Sequence, residues 1–129
     1  MKLSTFAIII TVLAAAFGLA FIFIPAQVGT FYGLSLDTGG LWMARSFGAA
    51  LLFIAMIYWS YSHVSPAAKS WPKLLQFSII YDVIQLVLTA TALLSGVGNS
   101  NGWSSVVLYA VLAVGSVYYL GVCKKARVG

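Results

Sequence analysis

Long apolar runs separated by short polar breaks set the pattern of this chain. Residues 3–24 carry no charge and stop at Pro25. Residues 41–61 hold one charge, Arg45, near their start. Residues 74–94 hold one, Asp82, and residues 105–122 hold none. Each run is close to the roughly 20 residues that cross about 30 Å of hydrocarbon as a helix. The pattern predicts an all-α polytopic membrane protein, a bundle of four transmembrane helices over 3–24, 41–61, 74–94 and 105–122, forming a single domain, 1–129. The first run follows Lys2 and contains "AAAFGLA", features of a signal peptide. It exceeds the roughly 7–15 apolar residues of a signal core, so it is read as a retained span.

The connections differ in charge. Residues 25–40 and 95–104 carry no Lys or Arg, whereas 62–73 hold Lys69 and Lys73 and the tail holds Lys124, Lys125 and Arg127. Basic residues accumulate on the cytoplasmic side of short loops. Placing both termini and the 62–73 loop inside puts six basic residues there, Lys2 included, and leaves only Arg45 at the outer rim. Trp59, Tyr61, Trp71, Tyr118 and Tyr119 then fall at the inner interface, and Tyr32, Trp42 and Trp103 at the outer one, where aromatic belts are expected. The expected location is a bacterial inner membrane, with the lipid bilayer as the first partner.

Composition narrows the chemistry. Only 7% of the residues are charged, against about 25% in soluble domains. The net charge of +5 is spread over seven basic residues with no dense patch, so no nucleic-acid partner is expected. A single cysteine, Cys123, excludes an internal disulfide, and a single histidine, His63, excludes a multi-histidine metal site within one chain. No metal site is predicted and no cofactor is assigned. No glycine-rich phosphate loop or spare Ser-His-Asp set is present, so no catalytic residue is named and a non-enzymatic role is expected.

Asp82 is the residue that needs an explanation. It lies in "FSIIYDVIQLVLTA", one of only two acids in the chain; the other is Asp37. Helix neighbours at three and four residues share a face, which groups Ser78, Asp82, Gln85, Thr89 and Ala92 into one polar stripe. A charge at the centre of a membrane helix costs about 2.5–3.5 kcal/mol on insertion scales, so this stripe should face the protein interior. Asp82 is read either as a proton-relay or ligand-anchoring group, with Tyr81, Ser78, Gln85 and Thr89 beside it, or as a carboxyl that holds helices in register. Interhelical hydrogen bonds of the second kind contribute about 0.6 kcal/mol each.

Arg45 is a further candidate. It lies about 6 Å below the outer boundary and Asp82 about 18 Å below it, at 1.5 Å per residue. The expectation is therefore that Arg45 snorkels outward, with Asp37 as an alternative partner to Asp82. Small residues at helical spacing, Ala44, Gly48 and Ala55 in one span and Thr11, Ala15 and Gly18 in another, suit close helix packing. His63, at the inner end of the second span, is read as a polar anchor, with axial ligation of a haem or chlorin as the alternative. Cys123 beside Lys124 and Lys125 is a palmitoylation candidate in a eukaryotic host.

The stretch "ARSFGAALLFIAMIYW", residues 44–59, resembles the Ala-Arg-x-x-Gly-Ala helix start of small four-helix bacterial membrane proteins of the DoxX-like type, whose size and hydropathy match most of this chain. That resemblance implies an accessory role near a redox or quinone-linked assembly. Three functions are weighed: an accessory or structural subunit of a larger membrane complex, a homo-oligomeric transporter or channel with a polar path through Asp82, and a bundle that binds a lipid, quinone or pigment. The first is favoured, because no residue set looks self-sufficient. Partners are then other membrane subunits or further copies of the chain.

Overall fold

The computed structural model describes residues 1–128. All regular structure among them is helical: α1 (Leu3–Phe23), α2 (Pro25–Phe31), α3 (Thr38–Tyr61), α4 (Trp71–Leu94) and α5 (Gly102–Val128). Four of them, α1, α3, α4 and α5, are long and apolar enough to cross a membrane. The chain divides into two compact units, Met1–Val64 and the part from Ser65 onward.

In the first unit α1 packs along α3. Leu3, Phe6, Ala7, Ile10, Ala14 and Gly18 of α1 are buried, a three- and four-residue spacing that keeps them on one face. The matching residues of α3 are Gly48, Leu51, Ala55 and Tyr58. Gly18 and Gly48 face each other across the pair. A Cβ on Gly48 would stand 2.6 Å from the Gly18 carbonyl oxygen, and one on Gly18 would stand 2.9 Å from that of Gly48. The backbones touch, which only glycine permits, as in close membrane helix pairs generally. Of the small residues expected at this seam, Gly18, Gly48 and Ala55 are buried, while Thr11, Ala15 and Ala44 are half-buried. Phe21 and Phe47 add an edge-to-face ring contact at 5.2 Å.

The break after α1 follows from proline chemistry. Pro25 has no N–H to extend the ladder, yet its fixed φ suits the first turn of a new helix. The loop expected from 25 to 40 therefore begins with α2. That helix ends where Gly33 turns left-handed, at φ 72°. The Leu34 N–H then reaches the Gly29 carbonyl (2.8 Å) and the Gly33 N–H reaches that of Thr30 (3.0 Å), the paired bonds of a Schellman cap. At the start of α3 the Asp37 carboxylate accepts a 2.7 Å hydrogen bond from the Gly40 N–H, an N-cap that begins the helix three residues earlier than the apolar run suggests.

In the second unit α4 packs along α5. Trp71, Leu75, Ser116 and Cys123 have essentially no exposed surface. α4 begins at Trp71, with Pro72 in its first turn, and ends in a second Schellman cap: Gly96 has φ 83°, and the Val97 N–H bonds the Ala92 carbonyl at 2.9 Å. α5 continues through "CKKARV", beyond the expected end at residue 122. Lys125 and Arg127 sit in its last turn, where cations complement the negative helix terminus. Two residues expected in the interfacial belt, Trp71 and Tyr119, are core residues instead. Trp42, Trp59, Trp103 and Tyr118 are exposed and remain available to a belt.

Candidate functional site

Helix α4 separates its faces cleanly. Phe77, Ile80, Val83, Ile84, Val87 and Leu88 are exposed, the pattern a lipid-facing surface requires. The stripe read from the sequence lies on the more protected side: Asp82 is only 5% exposed, and Ser78, Gln85, Thr89 and Ala92 are half-buried. Asp82 stands at the midpoint of this 24-residue helix, with Gln85 one turn further on.

Tyr81 adds a phenol beside the stripe. Its ring meets that of Tyr109, on α5, edge to face at a centroid distance of 6.2 Å. The Tyr109 hydroxyl, the Gln85 amide and the Asp82 carboxyl are polar neighbours of the Tyr81 hydroxyl. None of them meets Tyr81 Oη in hydrogen-bond geometry, and the buried Oη has no hydrogen-bond partner. A second buried hydroxyl, Ser116 Oγ of α5, is also unbonded. Unsatisfied buried hydroxyls are uncommon, because each has lost its water without gaining a protein partner.

The structure thus adds two α5 residues, Tyr109 and Ser116, and moves Tyr119 from the expected interfacial belt into the core. The spacing that picked out Asp82 and its neighbours was available here too. Ser105, Tyr109, Leu112, Ser116, Tyr119 and Cys123 advance by alternate steps of four and three, one face of α5.

Two other candidates lie in the first unit. The Arg45 Nε–H donates to the Ile22 carbonyl oxygen (3.3 Å), one of the last acceptors of α1. Pro25 lacks an N–H, so the end of α1 is short of donors, and a cation suits that negative end. Asp37, proposed as an alternative partner for Arg45, is committed to capping α3. His63 is exposed just beyond α3, with its ring edge-on to Trp59 at 5.3 Å. Among the described residues no group of three or more His, Cys, Asp or Glu side chains is placed to hold a metal ion.

No family model, curated protein or solved structure matches this chain. The chemistry must be read from the side chains themselves. A carboxyl, an amide and two phenols in apolar surroundings can donate and accept hydrogen bonds, exchange a proton, or orient the polar end of an otherwise apolar molecule. They do not include a nucleophile held by a base.

Proposed function

We propose that this chain is a small integral-membrane protein, a four-span accessory subunit that docks into a larger assembly through the polar side of α4. Both termini and residues 62–73 lie on the cytoplasmic side of a bacterial inner membrane in this reading, which rests on the distribution of Lys and Arg.

One observation carries the docking role. Gln85 is near the middle of a helix suited to span the bilayer, and its amide is only half-buried. An amide in hydrocarbon without partners costs several kcal/mol, and an amide, unlike Ser or Thr, does not readily satisfy itself on its own helix turn. A neighbouring helix that completes its burial and hydrogen bonding removes that cost. Ser78 and Thr89, half-buried on the same face, extend the docking strip along α4. The DoxX-like resemblance of residues 44–59 supports a redox or quinone-linked assembly as the setting.

Purification in a gentle detergent, followed by mass spectrometry of whatever co-purifies, tests the role. The expected result is a stoichiometric foreign subunit, retained by the native chain and lost in Gln85→Leu. A chain that purifies alone, or a subunit retained equally by the variant, would refute docking at α4.

A second reading is favoured by the two unbonded hydroxyls, Tyr81 Oη and Ser116 Oγ. A quinone or similar amphiphile bound in the second unit would bring carbonyl acceptors to them. A small molecule that co-purifies with the native chain and is lost in Tyr81→Phe would favour this reading over the subunit.

A further inference from the structure

A groove of about 560 Å³ opens in the second unit, lined by Lys69, Ser70, Pro72, Lys73, Gln76 and Arg127. Its size falls within the roughly 300–1,000 Å³ typical of small-molecule sites. Its three charged residues are all cations, contributed by the approach to α4, the first turn of α4 and the last turn of α5. Neither of the chain's two acidic side chains, Asp37 or Asp82, lines it. Three like charges gathered in one groove repel one another, and an anion placed among them removes that repulsion. Ser70 and Gln76 add neutral hydrogen-bond donors beside the cations.

The position specifies the kind of anion. Lys69 and Lys73 precede or open α4 and Arg127 closes α5, so in a membrane the groove lies at headgroup level on the side where Lys and Arg collect. Its walls are mostly carbon, the Pro72 ring and the aliphatic stems of the basic residues, which suits a molecule that is charged at one end and apolar beyond it. Basic pockets at membrane helix ends on the cytoplasmic side hold anionic lipid headgroups in this way. We infer that this groove binds one anionic phospholipid through its phosphate, with Lys69, Lys73 and Arg127 as the cationic ligands and Ser70 and Gln76 as neutral donors.

The site rests on the membrane reading but not on docking at α4, and the test separates the two. The full chain is incorporated into phosphatidylcholine nanodiscs, then extracted in neutral detergent and titrated with phosphatidylglycerol or phosphatidylcholine. Native mass spectrometry counts the lipid retained. The expected result is one saturable phosphatidylglycerol per chain, with phosphatidylcholine excluded. Neutralising the groove, K69Q, K73Q and R127Q together, weakens retention about fivefold for each cation removed. K124Q with K125Q, which removes charge from the same end of α5 outside the groove, leaves it unchanged. Equal losses per cation removed in the two variants would show general surface attraction and overturn the site. Glycerol 3-phosphate binding as tightly as the lipid would overturn the lipid assignment in favour of a soluble phosphate ester. A chain that enters nanodiscs but shows no headgroup preference overturns the site alone. A chain that stays out overturns the membrane reading and the site with it.

Discussion

The two helical hairpins of this protein are each built from two long apolar helices and are closed by different means. In Met1–Val64, α1 and α3 meet backbone to backbone at Gly18 and Gly48, with aliphatic and aromatic side chains filling the rest of the seam. In the second hairpin, α4 and α5 bury Trp71, Leu75, Tyr119 and Cys123 together with polar groups, Asp82 and Ser116. Water does not drive helices together inside lipid, so association depends on close van der Waals contact or on hydrogen bonds between helices. The first hairpin relies on contact and the second carries polar groups. A hairpin closed by contact needs little else, whereas one that buries unbonded hydroxyls has capacity left over for another molecule.

The sharpest way to break this comparison is to widen each hairpin at a glycine. At Gly48 a new side chain meets the Gly18 backbone, which cannot step aside. At Gly102, in the first turn of α5, a new Cβ would stand 2.5 Å from a terminal methyl of Leu93, which can rotate away. Gly48→Leu is expected to lower stability by about 3 kcal/mol. Gly102→Ala should cost under about 1 kcal/mol, the scale of one displaced rotamer. Unfolding titrations in mixed micelles would measure both, and equal losses would show that the glycine contact does not distinguish the hairpins.

A smaller effect tests the polar hairpin. Ser116→Ala removes a buried hydroxyl that has no partner, so stability should rise by about 1 kcal/mol. A fall in the same titration would mean that the hydroxyl is bonded in the membrane, to water or to a bound molecule. The smallest effect concerns the clamp between α1 and α3. Arg45→Met removes the bond to the Ile22 carbonyl and should cost about 0.5 kcal/mol, the scale of an exposed charge at a helix terminus. Added salt should shrink that difference; insensitivity to salt would assign the effect to packing by the arginine stem.

The four long helices were legible because a run of about 20 apolar residues has few other solutions. Their ends were less so. Pro25 reads equally well as the stop of one helix and the first turn of the next, and only the structure shows that it is both. As a charge Asp37 suggests an ion pair with Arg45, but Asp just before a helix is a familiar cap, and its role as a capping acceptor outweighs its value as an ion. Charge in the basic tail suggests water and a loop, yet Lys125 and Arg127 favour the helical end they occupy. The Asp82 stripe was visible because one acid stands out in an apolar helix. Tyr109 and Ser116 were not, since hydroxyl-bearing residues blend into a membrane span until their neighbours are known.

The split at Val64 also bears on how the protein is made. Each hairpin draws its helix-to-helix contacts from one continuous half of the chain, so few of them wait for distant residues. Such local pairings form quickly, and domains synthesised first tend to fold first. The glycine-sealed half, Met1–Val64, is synthesised ahead of the half that carries Asp82. Each helix pair therefore closes on contacts of its own, and the order of synthesis puts the pair held by glycines ahead of the pair held around a buried carboxyl.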